Sequence, residues 1–337
     1  MRYIFRERLI LFAGAVLVCV VFIAALVIGR YGVIPPSEII FAFINPSYIP
    51  KAHRNILLMI RLPRALAAFL VGSSLAVSGQ VYQSTFGNKL VSPDILGVSS
   101  GCCAGAGIAM LSELGTFGVS VCAFLGGTLA VSAALTLPKL FRNRSSLSLV
   151  LSGIIVGAFM NSLISLMKYI ADKSDKLSDL TYWMMGSLSG AKMNDVPAAA
   201  TVMAACMAVL ILNSWSIDII SLGREEALSL GTNYTSCRLV IIACSTLLTA
   251  SSVSISGNIG WVGLVIPHIS RAIVGSRAKY CIPASILCGG GFMIFADMLI
   301  RVISVDEIPA SVITGLAGAL IYTIILVKKD RDLDDSA

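Results

Sequence analysis

The sequence predicts an all-α polytopic membrane protein: one transmembrane domain over residues 1–337, with ten membrane-spanning helices and both termini in the cytoplasm. Three observations predict it. Hydrophobic residues make up 57% of the chain and charged ones only 13%, about half the charged share of a soluble domain. The apolar residues gather into runs long enough to cross a bilayer, for which about 20 residues are needed. Several runs are interrupted by glycine or proline, a break tolerated in hydrocarbon only where the freed backbone packs on protein or lines a cavity.

The ten runs lie at about 9–29, 63–83, 95–112, 117–138, 148–170, 195–213, 237–256, 259–274, 282–303 and 308–327. The first follows Arg2, Arg6, Glu7 and Arg8. It exceeds the roughly 7–15-residue apolar core of a secretory signal and is read as a retained span. An even number of spans returns both termini to one side. Arg2, Arg6 and Arg8 at one end, with Lys328, Lys329 and Arg331 at the other, assign that side to the cytoplasm. Arg61 and Arg64 run against this bias, at the outer start of span two with no acidic neighbour. The preceding outer loop carries Pro35-Pro36, Asn45-Pro46 and Pro50, so it is expected to be irregular with one short helix.

The net charge of +7 is dispersed along the chain, without the aromatic-interleaved basic patch of a nucleic-acid binder. The nine cysteines form no C-x-x-C pair, which argues against a disulfide framework and a zinc site. Val77-Ser78-Gly79 in span two echoes Ile255-Ser256-Gly257 after span seven. Those spans run in opposite directions, which lends the predicted fold an inverted-repeat character.

Four stretches carry the functional reading. From Ser254 to Ser276 an apolar segment dissolves at Gly257, Gly260 and Gly263, restarts, and closes on Pro267-His268 and Arg271; broken segments of this kind point to a transport path. Gln83 to Gly101 is too polar and too broken by Gly87, Pro93 and Gly97 to face lipid. It reads either as a plain cytoplasmic loop or as unwound backbone beside the path, with Asn88, Pro93 and Gly97 as path residues. Leu222 to Gly231 forms a short helix bracketed by Gly223 and Gly231, with Arg224, Glu225 and Glu226 on its exposed side. It is either an ordinary solvated loop helix or a lever for a cytoplasmic partner. Asp297 and Arg301 lie four apart in span nine, on one helix face. Charges at membrane depth are costly and usually paired, so this spacing reads as an intrahelical ion pair, with a proton relay as the alternative. Gly101/Gly105 and Gly153/Gly157 read as helix-packing contacts. Ser145, Ser146 and Ser148, which follow Arg142 and Arg144 at the inner end of span four, read as a helix cap or part of a constriction. The chain has no G-x-x-x-x-G-K-[ST] phosphate loop, no H-E-x-x-H and no Gly-x-Ser-x-Gly, so no enzyme is expected.

These motifs, taken in order, resemble the FecCD family of ABC-importer permeases. The resemblance rests on Arg61-Leu-Pro-Arg64, Ser78-Gly79, Asn88…Pro93…Leu96-Gly97-Val98-Ser99-Ser100-Gly101 and Tyr182-Trp183-Met184-Met185-Gly186. It continues through Leu222-Gly223…Glu226-Ala227…Leu230-Gly231, Gly263-Leu-Val-Ile-Pro267-His268…Arg271 and Ala296-Asp297…Arg301. It implies a subunit of an importer for ferric siderophores, haem or cobalamin, paired with a second permease subunit that is the same chain or a related one. Two cytoplasmic ATPases would bind ATP and magnesium, an external substrate-binding protein would deliver cargo, and this chain would hold no cofactor or metal. Carried over by motif, Arg61, Arg64 and Arg301 correspond to outer arginines that dock carboxylates of the binding protein. Leu222, Gly223, Arg224, Glu225, Glu226, Ala227, Leu230 and Gly231 correspond to the segment seated in the ATPase. Ser145 and Ser146 fall near the cytoplasmic gate. Where the family has Asn-Pro, this chain has Asn88-Lys89.

Overall fold

Helices form where the apolar runs satisfy their own backbone and stop where glycine or proline interrupts them. The computed structural model describes all residues except 1, 45–47, 141–145, 172–174, 195, 304–307 and 335–337, and no side chains at 2–4, 43, 139–147, 326 and 328–337. The described residues contain fifteen α-helices and no strand. They are α1 (Arg2–Val27), α2 (Pro36–Ile44), α3 (Lys51–Asn55), α4 (Leu62–Phe86), α5 (Val98–Leu111), α6 (Gly115–Leu140) and α7 (Ser146–Ile170). There follow α8 (Lys176–Met184), α9 (Val196–Leu212), α10 (Ser214–Leu222), α11 (Arg224–Ser229), α12 (Tyr234–Ser256), α13 (Val262–Val274), α14 (Ala278–Ile303) and α15 (Ala310–Asp334).

Six helical stretches are long and apolar enough to cross a membrane: 5–27, 51–86, 115–138, 148–170, 234–256 and 278–303. α9 and α10, bent by 62°, make a seventh if taken as one broken span. α5, α13 and residues 310–325 of α15 are apolar but shorter. Phe12, Leu17, Phe117, Leu129, Phe159, Leu316 and Leu320 all stand exposed on helix surfaces, as expected for elements whose solvent is lipid.

α4 is the central mast. Most of its side chains are small and buried, and small residues let neighbouring backbones come close. A Cβ at Gly79 would lie 1.8 Å from the Gly263 carbonyl oxygen of α13, so glycine is required at that crossing. Hydroxyls fasten the mast to α12: Ser78 Oγ donates to the Ser245 carbonyl at 2.8 Å, and the Tyr82 and Thr246 hydroxyls pair at 2.8 Å. Gly101 and Gly105 meet α6 at Gly126 and Cys122, while Gly153 meets the backbone at Ile95.

The structure corrects several boundaries. The second span's helix begins at Lys51 rather than near 63, through a π-helical turn at Ile56–Arg61. The wider turn precedes Pro63, whose ring and missing N–H disturb regular bonding to the turn before it. Ahead of Lys51 the outer loop holds one short helix among the described residues, α2, as expected. The helix of span six, α9, ends at Leu212, and after a bend at Asn213 α10 runs on to Leu222. Gly79 sits inside α4, whereas Gly257, at φ +67°, ends α12, so the two halves of the sequence echo mark different structural positions.

Candidate functional site

At the end of the bundle where α1 finishes, three arginines and one aspartate are drawn inward. Arg61 is 2% exposed. Its Nη1 donates to the Leu26 and Val27 carbonyls and its Nη2 to that of Gly32, each at 2.7 Å. A helix C-terminus leaves its last carbonyls unpaired and carries a partial negative charge, so a guanidinium is well suited to close it. Gly29 makes room, since a Cβ there would fall 2.9 Å from the Arg61 guanidinium.

Asp297 of α14 is 1% exposed and touches two guanidiniums. Arg64 Nε of α4 donates to Oδ1 at 2.6 Å, and Arg301 Nε lies 3.0 Å from Oδ2. The intrahelical pair read from the i,i+4 spacing is therefore one half of a three-residue cluster spanning α4 and α14. Arg301 Nη1 also donates to the Ala25 carbonyl of α1 at 3.2 Å. Three helices thus converge on buried charge. Buried ion pairs persist only when geometry and added hydrogen bonds offset their desolvation. The three arginines assigned to docking are consequently turned into the chain rather than displayed on its surface.

The opposite end carries α11. Gly223 has φ +118° and ψ 173°, a conformation open essentially to glycine alone, and Gly231 has φ +73°. Between them Ala227 is fully buried and anchors the helix, while Leu222, Leu228 and Leu230 are more than half exposed. Arg224, Glu225 and Glu226 are exposed beside them. An anchored turn between two glycine-specific conformations thus displays leucines and charges together on the surface. Just before it, Asp218 Oδ1 accepts a hydrogen bond from the Ala278 N–H at 2.8 Å, capping the first turn of α14 as carboxylates do at helix N-termini.

Between these ends lie the two breaks. After Gly257 the chain turns through Trp261, at φ +69°, whose ring lies against Gly318 of α15. The segment Met185–Ser187 threads the gap: Ser187 N–H donates to the Ser256 carbonyl and Ala310 N–H to that of Gly186, both at 2.8 Å. Irregular backbone is thereby satisfied by protein, as hydrocarbon requires. In the other break, Asn88 is exposed and its Oδ1 accepts from the Leu90 N–H at 2.9 Å. Pro93 is buried at the start of a 3-10 turn, and Gly97, at φ +73°, opens α5. Pro93 packs toward Gly263 and Gly97 toward Gly157, so both sit in the interior of the chain. Ser145 lies outside the described residues. Ser146 begins α7, and its side chain lies outside the described set.

Three polar contacts escaped the sequence reading. Arg271 Nη1 donates to Gln80 Oε1 at 2.6 Å and Nη2 to Gln83 Oε1 at 2.5 Å, tying α13 to α4. Arg64 meets a partner 233 residues away. Arg238 stands between the rings of Phe86 and Tyr234, at 5.4 and 5.6 Å from their centroids. Apart from Tyr234, four residues before Arg238 on α12, these partners lie far apart in the chain and leave no local periodicity to read. Among the described residues no three His, Cys, Asp or Glu side chains converge as a metal site would need.

The model of the FecCD transport family matches residues 17–328. The chain belongs to that family. The molybdate import system permease protein MolB of Haemophilus influenzae is 34% identical over 324 residues, covering 96% of each chain. A probable iron chelatin transport system permease of Helicobacter pylori is 37% identical over 273 residues, or 81% of this chain and 82% of that one. A solved inward-facing transporter, titled as of metal-chelate ABC type, superposes with a TM-score of 0.86 at 34% identity. That match covers 95% of this chain and 99% of the other. This FecCD chain is thus an ABC importer permease subunit and a multi-pass protein of the inner membrane.

Proposed function

We propose that this FecCD permease moves a ferric siderophore across the inner membrane, using ATP hydrolysed by separate subunits. Its partners are a second permease copy or relative, two cytoplasmic ATPases holding ATP and magnesium, and an external substrate-binding protein. In this reading the chain crosses the membrane ten times, α5, α13 and α15 being short spans, and both termini are cytoplasmic. The α11 end then faces the ATPase and the arginine cluster faces out. The observation that carries the reading is the glycine-hinged, anchored and exposed α11, a lever with no use in a transporter that works alone. Ser145 and Ser146 remain the proposed gate region, and Asn88, Pro93 and Gly97 support the path from behind. Arg61, Arg64 and Arg301 bring two positive charges in excess of Asp297 to the outer end. Buried as they are, they act on a docking partner's carboxylates by ordering that end and by their field.

Iron is favoured by the relative named for iron chelatin transport and by the solved neighbour of metal-chelate type. Relatives named for hemin, cobalamin and molybdate transport keep those cargoes in play for the same machinery. An ion-coupled transporter with Asp297 as the coupling residue is disfavoured, because two guanidiniums already hold that carboxylate. The deciding experiment is uptake by cells with and without the gene, offered labelled ferric siderophore, haem, cobalamin and molybdate, each with and without ATP depletion. ATP-dependent loss of siderophore uptake alone is expected in the deletion strain. Loss of another cargo would reassign the substrate, and uptake that ignores ATP but follows the proton or sodium gradient would overturn the coupling.

A further inference from the structure

At the end of the bundle away from α11, between α6, α9 and α12, lies a cavity of about 590 Å³, within the roughly 300–1,000 Å³ of sites that hold a small molecule. Phe117, Val121 and Leu125 of α6 line it and are 78%, 39% and 51% exposed. That flank therefore opens sideways, where the solvent of a membrane helix is hydrocarbon. Two hydroxyls also line the cavity, those of Ser120 on α6 and Ser251 on α12. Ser120 is half-buried and Ser251 is 2% exposed. Other helical hydroxyls of this chain turn back on their own helix, as serine and threonine commonly do. Ser252 donates to the Leu248 carbonyl and Ser256 to that of Ser252, both at 2.8 Å, and Thr128 donates to that of Phe124 at 3.0 Å. The Ser120 and Ser251 hydroxyls take no hydrogen-bond partner among the described residues, although each has a helix carbonyl four residues behind it. A hydroxyl left unbonded away from water costs free energy. The two also share a depth. Ser120 stands five residues after the start of α6 and Ser251 five before the end of α12, about 7–8 Å in from the same end of the bundle at 1.5 Å per residue.

We propose that this cavity seats the glycerol-ester portion of a diacyl lipid, whose ester carbonyls accept from Ser120 and Ser251 and whose acyl chains leave over Phe117 and Leu125 into the bilayer. An ester carbonyl accepts hydrogen bonds and donates none, so it answers a hydroxyl that no group of the chain receives. The depth agrees. The head-group layer adds about 5–7 Å on each side of the hydrocarbon core, and glycerol esters lie at its inner border. A pure hydrocarbon would leave both donors unanswered, whereas a soluble ligand would leave the apolar flank bare. A diacyl ester lipid meets both demands. Ser256 and Gly257, where α12 ends, line the same cavity, so a lipid seated there braces the break that follows them. The binding rests on the multi-pass placement in the membrane, and on neither the cargo nor the orientation proposed above.

The test uses the full-length chain purified in detergent, with bound lipid counted by native mass spectrometry. The probes are dioleoyl phosphatidylcholine and its dioleyl ether analogue, which has the same head group and chain length but no carbonyls. The parent chain is expected to retain the ester lipid in preference to the ether. Ser251→Ala should weaken ester-lipid binding about threefold, the mean worth of one hydrogen bond between membrane helices, and leave ether-lipid binding unchanged. Ser120→Ala should do the same, so the reading stays testable if one variant misfolds, and the two together should erase the preference. Leu125→Trp, which narrows the apolar flank, should lower both lipids alike. Equal retention of ester and ether by the parent would overturn the proposal, as would a preference that survives in the double variant. Displacement of the lipid by glycerol triacetate would make the cavity a site for soluble esters and overturn it too. None of these readouts depends on cargo or ATP, so failure here is distinct from failure of the transport reading.

Discussion

Replacing Asp297 by asparagine would test whether the buried cluster is architecture or machinery. The substitution keeps the shape and one hydrogen-bond acceptor but removes the negative charge that Asp297 presents to Arg64 and Arg301, whose side chains are 6% and 8% exposed. Removing one partner of a buried ion pair costs about 3–5 kcal/mol, because the remaining charge is left uncompensated. Here two guanidiniums lose that carboxylate, so Asp297→Asn is expected at the upper part of that range. Arg64→Gln alone should cost less, since Asp297 keeps Arg301 at 3.0 Å. The double variant Arg64→Gln with Asp297→Asn should be more stable than Asp297→Asn alone, one of those guanidiniums having been removed. The assay is thermal unfolding of purified protein in detergent, run as a double-mutant cycle, with uptake measured per folded molecule. Stability of Asp297→Asn within about 1 kcal/mol of the parent, a difference too small for stranded buried charge, would refute the reasoning. Full stability with abolished uptake would restore Asp297 as a coupling residue.

Other perturbations probe the remaining parts. Glu226→Arg should leave the chain folded but uncouple ATP hydrolysis from uptake in the assembled transporter, and normal coupled uptake would remove the lever from the mechanism. Gly79→Ala should collapse yield and thermal stability, because its Cβ would meet the Gly263 carbonyl at 1.8 Å, whereas Gly190→Ala, with nothing within 4 Å, serves as the tolerated control. Normal yield of Gly79→Ala would contradict the backbone contact. Lys176 Nζ donates to Glu113 Oε1 at 2.6 Å and holds that exposed carboxyl below the usual range. A depressed acid contributes stability above its unfolded value and loses it as pH falls through the folded one. Acidification should therefore loosen the tie between α8 and the α5–α6 turn. The effect is small, because exposed pairs contribute little, and should vanish in Lys176→Gln and in high salt. Hydrogen exchange around 112–114 at falling pH is the measurement; pH dependence unchanged in Lys176→Gln would sink this account.

What could be read from the sequence was whatever lies close along the chain. The apolar runs became helices because a run of that length satisfies its own backbone. The glycine bracket around Arg224–Ser229 was legible because Gly223 and Gly231 occupy conformations that other residues resist. The Asp297–Arg301 spacing was legible for the same local reason. Arg64 joining that pair was not, since 233 residues separate it from Asp297 and no periodicity links distant helices. The inward turn of Arg61 was equally hidden. Two arginines standing against the charge bias of the loops suggested an outer surface, yet the unpaired carbonyls ending α1 took one of them. The run read as ending at 213 stops at the 62° bend between α9 and α10, but α10 itself went unread because Ser214, Ser216 and Asp218 interrupt the apolar character there.

The fastenings of α4 also bear on how the chain is made. Ser78, Tyr82, Arg64, Gln80 and Gln83 all find their partners on α12, α13 or α14, which leave the ribosome more than 150 residues later. Until then the mast enters the bilayer carrying buried-type polar groups and bare glycine grooves with nothing to receive them. The first half of the molecule is therefore a waiting intermediate rather than a foldable unit, and a stalled or truncated chain ending before α12 would present the serines, glutamines and Arg64 of α4 to lipid. Quality control in the membrane would meet this protein at its centre first.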